Sequence, residues 1–242
     1  MMAGYDIVLA NGRIMDPESA MDRVANVGIT DGTVGAITGE SLDGTDSIDA
    51  TGLVVAPGAV DLHSHGQDDE NYRVQALDGV TTALELELGV LNVDEWYGER
   101  EGRALINYGA SVGHIPVRMK VMNDPGGMAP VADGAYKAAS ESQIEEMKDL
   151  MHRGLRSGAL AMGFVLALTP SASRWEPLEM FRVAAQYGAP CHVHMRGMGH
   201  KEPLTCIEGL SEIVAAAMAT EHRSMSTTST AAASMPFPSC FR

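Results

Sequence analysis

The stretch Pro57-Gly58-Ala59-Val60-Asp61-Leu62-His63-Ser64-His65-Gly66 places two histidines two positions apart at the end of an apolar run. Side chains of a strand alternate between its faces, so this spacing predicts that His63 and His65 project to the same side. Two imidazoles on one side of a strand can share a single metal ion. The alternative interpretation is a strand whose histidines are only hydrogen-bonded.

The composition limits the classes of protein and partner. With 242 residues and 45% apolar content, the chain can bury a sizeable core. A net charge of −15 argues against nucleic acid and anionic membranes as partners. The three cysteines have no paired spacing, which predicts a reducing compartment, the cytoplasm. The start of the chain lacks an export signal, and no stretch reaches the roughly 18 apolar residues of a membrane span.

Two patterns of apolar residues in the sequence predict the domain organisation. Over residues 1–52, short apolar runs are separated by turn residues such as Asn11-Gly12 and Asp31-Gly32, which predicts a small β subdomain of antiparallel hairpins. Over residues 53–220, strand-like and helix-like runs alternate, as in a parallel sheet with crossover helices. The predicted fold class is α/β, a partial TIM-type (β/α) barrel with about five of the usual eight strands.

The individual elements of this barrel can also be predicted. The predicted strands are 54–63, 81–88, 110–117, 159–166 and 190–195, and the predicted helices are 140–156, 177–187 and 207–218. Ser142 is expected to cap the first of these helices. Reactive groups of such barrels lie at the C-terminal ends of the strands, which is where polar residues accumulate here.

Two carboxylates interrupt the second predicted barrel strand. Glu85 and Glu87 share one face of this otherwise apolar run, and a buried carboxylate needs a cation or a metal ion to offset its desolvation. Glu87 is nearer the strand end and is the preferred ligand, with Glu85 as its alternative. A structural ion pair is the competing interpretation for either residue.

Several segments carry a resemblance to a known family. Pro57 to His65 resembles the first barrel strand of the amidohydrolase superfamily. From about Tyr5 to about Thr220 the chain is similar to the D-aminoacylase (N-acyl-D-amino-acid deacylase) group. The segments that carry this similarity are Gly79-Val80-Thr81-Thr82, Val112-Gly113-His114 with Arg118, Gly158-Ala159-x-Ala161-Met162-Gly163 and His194-x-Arg196. D-aminoacylases usually carry a cysteine where this chain has Leu88 and Gly89, so an acidic ligand would be a departure.

The resemblance implies a metal-dependent hydrolase of C–N bonds other than peptide bonds. Its expected substrate is a small N-acyl-D-amino acid, attacked by hydroxide activated on one or two Zn²⁺ ions. The metal ligands that it implies are His63, His65 and His194, with His192 on the same strand face as an alternative to His194. Glu87, chosen from its position on the strand, completes the predicted ligand set. Asp61 is expected to orient His63 or its strand from behind the ligands.

His114 and Arg196 are predicted to contact the substrate. An arginine can bind a carboxylate through two hydrogen bonds, which suits an N-acyl amino acid. A histidine satisfied by the backbone and a structural salt bridge are the respective alternatives.

Beyond Thr220 the sequence is dominated by Ser, Thr and Ala, and no sixth strand is legible. Residues 221–242 are therefore predicted to be an aberrant or disordered tail, with a frameshift from Glu221 as the hypothesis and true low complexity as the alternative. On the frameshift hypothesis the chain is an inactive fragment that lacks the catalytic aspartate. A cyclic-amide hydrolase of the dihydroorotase or hydantoinase kind, and a non-catalytic product, are the competing functions. The sequence is compatible with a homo-oligomer.

Overall fold

The computed structural model describes residues 4–197, 199 and 205–220, and the backbone of 225–228. The chain divides into two compact units between Ala59 and Val60, whereas the predicted boundary followed residue 52. The strands are β1 Tyr5–Asp16, β2 Met21–Thr30, β3 Thr33–Thr38, β4 Gly44–Asp49, β5 Val54–Val55, β6 Ala59–Asp61, β7 Val80–Val90, β8 Asn107–Gly113, β9 Met162–Val165, β10 Cys191–His194 and β11 Met225–Thr228. The α-helices are α1 Asp69–Leu77, α2 Val93–Gly98, α3 His114–Val121, α4 Asp133–Tyr136, α5 Glu141–Arg156, α6 Trp175–Tyr187 and α7 Cys206–Ala219.

The first unit is a five-stranded sheet of order β3-β2-β1-β4, in which β5 also pairs with β1. The predicted tight turn at Asp31-Gly32 is confirmed, because both residues have positive φ between β2 and β3. The predicted turn at Asn11-Gly12 is wrong. Those residues form a bulge inside β1, where Asn11 has φ 63° and its N–H donates to the side chain of Asn26. The sheet is mixed rather than antiparallel, since β4 and β5 run parallel to β1.

The second unit contains a six-stranded sheet of order β11-β10-β9-β8-β7-β6. Strands β7 to β11 pair in parallel, with α-helices in the connections between them. This arrangement confirms the predicted α/β fold, a partial parallel barrel that follows a separate N-terminal sheet in the chain. Five of the six strands were predicted. The sixth, β11, was not, and it pairs with β10 through Cys191 and Met225; the other residues of the predicted tail lie outside the described part of the chain.

Three predicted strands have different ends in the structure. The run 54–63 is divided into β5 and β6, because Pro57 between them has no N–H to donate to a ladder. The run 110–117 ends at Gly113, since α3 begins with His114. The run 159–166 becomes extended only at Met162.

The helices cover one face of the parallel sheet and create the main core. Ser140 caps α5 in a reciprocal arrangement with Gln143, so the prediction of Ser142 as the cap is wrong. The buried cluster combines strand residues with residues of α5 and α6, namely Val112, Met162, Cys191, Met147, Met151 and Phe181. Because strand residues alternate, the neighbours of the strand members of this cluster, among them Gly113, Gly163 and His192, face the interior of the half-barrel.

Within residues 4–197 and 205–220, none of the helices has both the length and the apolar character that a membrane span needs.

Candidate metal centre

The C-terminal ends of three strands bring four of the predicted site residues together. His63 and His65 follow β6, Glu87 lies near the end of β7, and His194 is the last residue of β10. The two histidines lie beyond the strand rather than on it, because β6 ends at Asp61. Their imidazoles nevertheless converge, with 3.0 Å between the two Nε2 atoms.

The two imidazoles and one carboxylate oxygen form a compact triangle. Oε2 of Glu87 lies 3.4 Å from Nε2 of His63 and 3.4 Å from Nε2 of His65. Ligand atoms about 2.1 Å from a tetrahedral zinc ion are separated by about 3.4 Å from one another. The spacing of these three atoms therefore fits a single ion. Among the described residues, His63, His65 and Glu87 form a group that could hold a metal ion.

Carboxylates behind the histidines hold them in place. The carboxylate of Glu85 accepts a hydrogen bond from Nδ1 of His65, which lies 3.1 Å from Oε1 and 2.8 Å from Oε2. Nε2 of that ring therefore points at the triangle. Asp61 accepts a 3.0 Å hydrogen bond from the backbone N–H of His63 and thereby fixes the turn after β6. A carboxylate bound to the far nitrogen of a ligating histidine is the usual support of a metal site.

The electrostatics of the cluster are those of a tightly coupled set of charges. Hydrogen bonds that His65 donates to Glu85 and Glu87 raise its pKa to about 10, although burial opposes the shift. Burial alone would raise the pKa of Glu87, but hydrogen bonds from His194 and His65 lower it to about 2. The positive charge of a protonated His65 thus offsets the negative charge of the carboxylates. A metal cation bound in the triangle would supply the same compensation.

The two histidines of β10 differ in their surroundings. Nδ1 of His194 lies 2.7 Å from Oε1 of Glu87, so this carboxylate joins β10 to the histidines after β6. His192 faces the same interior side and is 7% exposed. Burial, and then the proximity of His63, lowers the pKa of His192. The described geometry links His194 directly to the cluster through Glu87.

His114, predicted to contact the substrate, lies in a buried network with Arg118 and Glu176. Nε2 of His114 is 2.7 Å from Oε1 of Glu176, and Arg118 donates from Nη1 to both oxygens of the same carboxylate. All three side chains have no solvent exposure. Burial would raise the pKa of Glu176, but the hydrogen bond and charge of His114 and the charge of Arg118 hold it below its usual value.

Arg196, also predicted to bind substrate, is engaged by a second buried glutamate. Its Nε and Nη2 donate to the two oxygens of Glu212, at 3.0 Å and 3.1 Å, and its Nη1 donates to the backbone carbonyls of Thr169 and Pro170. The guanidinium therefore links β10 to α7 and to the segment before α6. Sequence reasoning missed both glutamates, since each is one of two glutamates in an amphipathic helix and no local pattern distinguishes it from the other.

Comparisons with known proteins agree with this arrangement. A model of the Amidohydrolase family matches residues 46–121, which include His63, His65 and Glu87. D-aminoacylase of Alcaligenes xylosoxydans xylosoxydans is 28% identical over 232 residues, covering 81% of this chain and 45% of that protein. Dihydroorotase of Streptococcus pneumoniae is 50% identical, but over 60 residues, which is 24% of this chain and 14% of that protein.

The fold has close counterparts among solved structures. N-acyl-D-glutamate deacylase from Bordetella bronchiseptica, crystallised with zinc and a phosphonate inhibitor, superposes with a TM-score of 0.73 at 24% identity. The superposition covers 92% of this chain and 51% of that one. The chain thus spans about half the length of the D-aminoacylase relatives that it matches.

The parallel half-barrel, the paired histidines after its first strand and the family match over residues 46–121 define the class that this chain resembles, the amidohydrolases. Within them, the match that extends over most of the chain is to the D-aminoacylase group.

Proposed function

We propose that His63, His65 and Glu87 bind a divalent metal ion, zinc in the first instance, and that the site serves hydrolysis of a C–N bond in a small amide. The observation that carries the proposal is the triangle of two Nε2 atoms and one Oε2 atom, with sides of 3.0 Å, 3.4 Å and 3.4 Å. Two imidazoles with one carboxylate are a ligand set typical of catalytic zinc. When bound, such an ion lowers the pKa of a water and polarises a carbonyl.

The chain's own residues would prepare this site in distinct ways. Glu85 accepts the proton on Nδ1 of His65 and so directs Nε2 to the ion. Asp61 fixes the backbone of His63. His194, joined to Glu87 at 2.7 Å, is the proposed fourth protein ligand. In this proposal His114 and Arg196 stabilise the barrel wall rather than the substrate, because each is buried and paired with a glutamate.

An N-acyl-D-amino acid is the proposed substrate. Its support is the extent of the match to D-aminoacylase, 81% of the chain, against 24% for dihydroorotase. The higher identity to dihydroorotase over its 60 residues favours a cyclic amide as the second candidate. Both reactions need the same metal-binding strand end, so the substrate distinguishes them and the metal does not.

The test is metal content and turnover of the purified 242-residue chain. After zinc loading and dialysis, elemental analysis should find at least one ion per chain, and N-acetyl-D-amino acids should be hydrolysed faster than dihydroorotate or hydantoin. His63→Ala should lose both properties. His152→Ala is the matched control, because that imidazole contacts Tyr187 on the helical side and should leave both unchanged.

The outcomes separate the two parts of the proposal. Stoichiometric zinc without hydrolysis of any of these amides would leave the metal site and refute the activity. A chain that retains no zinc, or a His63→Ala variant that retains as much as wild type, would refute the metal site. Faster hydrolysis of the cyclic amides would replace the first substrate class by the second.

A further inference from the structure

Strand β7 leaves the register of its neighbour where it carries Glu87. Glu85 pairs with Ala110, and the next pair is Val90 with Val112. Four residues of β7, 86–89, therefore stand opposite one residue of β8, which is Ser111. This excess of three residues is a large bulge, and a bulge next to a site commonly re-aims a side chain.

The bulge lies against the interior face of the half-barrel, directly over two paired glycines. Gly113 of β8 and Gly163 of β9 are partners in the parallel ladder. A Cβ atom built on Gly163 would lie 2.4 Å from the carbonyl oxygen of Glu87, and one built on Gly113 would lie 2.1 Å from that of Leu88. Real Cβ contacts essentially never fall below 3.0 Å.

Lack of space, rather than backbone conformation, explains both of these glycines. Gly113 has φ −98° and ψ 133°, an extended conformation that any residue adopts. The φ angle of Gly163 is not positive either, so its backbone conformation does not require glycine. Both are therefore positions where another backbone approaches closely, which is an established use of glycine within strands.

We infer that Gly113 and Gly163 are positioning residues for Glu87: they let the bulge of β7 settle low enough to bring its carboxylate to the histidine pair. The inference rests on the proposed function, because it assigns these glycines a role in metal binding. It adds a requirement on residues that hold no ligand atom. Substituting either glycine leaves every proposed ligand residue in the sequence unchanged.

The geometry indicates how sensitive the site is. An alanine at 163 requires its methyl group and the carbonyl oxygen of Glu87, 2.4 Å apart as built, to separate by about 0.6 Å to reach 3.0 Å. Functional constellations tolerate displacements of about 0.5 Å. The contacts at stake are those of Glu87 with His63, His65 and His194, at 3.4 Å, 3.4 Å and 2.7 Å.

The test is metal affinity of Gly163→Ala, measured by competition with a chromophoric chelator and by the visible spectrum of the Co²⁺-substituted chain. Altering the support of a ligand typically weakens metal binding about ten- to hundred-fold, and that loss is expected here. The Co²⁺ spectrum should change as well, because the carboxylate would no longer reach its place. Circular dichroism and thermal unfolding of the metal-free chain report the fold separately.

Gly154→Ala is the matched control. Gly154 lies in α5, and a Cβ there would meet the side chain of Val112 at 2.5 Å, on the helical face of the strand that carries Gly113. The Gly154→Ala substitution therefore produces similar crowding on the opposite side of β8. Its thermal unfolding should change while its metal affinity and Co²⁺ spectrum stay those of wild type.

A second variant protects the test against a folding failure. Gly163→Ala combined with Ser111→Gly removes Oγ of Ser111, which the new methyl would otherwise meet at 2.6 Å, and keeps the conflict with Glu87. Folded variants that bind Co²⁺ with wild-type affinity and spectrum would refute the inference alone. Equal losses of affinity in Gly154→Ala would also refute it, since general crowding would then explain the effect. A wild-type chain that binds no metal would refute the proposed function and this inference together.

Discussion

Replacing Glu176 by glutamine is expected to lower the free energy of unfolding by about 3 kcal/mol, because breaking a buried ion pair on one side costs roughly 3–5 kcal/mol. The lower end applies since glutamine keeps the size of the side chain and one accepting oxygen. His114 and Arg118 would stay fully buried without a negative charge beside them, and Arg118 would keep its hydrogen bonds to the backbone carbonyls of Gly134 and Lys137.

Urea unfolding followed by tryptophan fluorescence measures this effect. Both tryptophans, Trp96 and Trp175, lie in the second unit, and Trp175 is adjacent to Glu176. Glu145→Gln is the matched control, because Glu145 pairs with Lys148 at 2.7 Å on the surface of α5 and its side chain is 68% exposed. Exposed pairs contribute less than about 1 kcal/mol, so this variant should stay close to wild type.

A result within about 1 kcal/mol of wild type for Glu176→Gln would refute the structural role of this network. It would also restore His114 as a candidate for substrate contact. A double variant, Arg118→Met with Glu176→Leu, adds a second check. Well-packed apolar replacements of a buried pair are often neutral, so the double variant should recover part of the loss, while the buried His114 stays without its partner Glu176.

Three further predictions concern pH, a helix cap and the support of a ligand. The pKa of Glu176 is held below its usual 4.5, so its contribution is present above about pH 4.5 and is lost as the pH falls through the lowered pKa; acid unfolding of wild type that is no steeper than that of Glu176→Gln would contradict this. Ser140→Ala should destabilise the chain by about 1 kcal/mol and Ser142→Ala by less than about 0.5 kcal/mol in urea titrations, and equal losses would mean that the cap is misplaced. Glu85→Gln should weaken zinc binding about ten- to hundred-fold because it loosens His65, and an unchanged Kd would exclude the orienting role.

Alternation along strands made much of the site predictable. A period of two placed Glu85 with Glu87 and His192 with His194, and the structure directs these pairs to the interior of the half-barrel. The choice of Glu87 within its pair used the position of the strand end, and Glu87 is the member that meets both Nε2 atoms. The roles of these residues in metal binding stay predictions.

Contacts between distant segments were not predictable from local pattern. Glu176 lies 62 residues from His114 in the chain, and nothing near it marks a buried acid in an otherwise ordinary helix. The bulge in β7 was equally hidden, because its cause is the space above Gly113 and Gly163 on other strands. Asn11-Gly12 shows the opposite error. The sequence there has a strong local turn signal, but in the structure these residues form a bulge inside a long strand.

The contact between Glu87 and His194 has a consequence for the order of folding. It joins positions 107 residues apart, so it can form only after β7 to β10 have found their places, and the entropy of closing that loop opposes it until then. The Asp31-Gly32 hairpin, by comparison, closes within one turn and needs no distant partner. Capture of an ion would therefore come late in folding, and a nascent chain would expose its histidine pair long before it could hold the ion with all of its ligands.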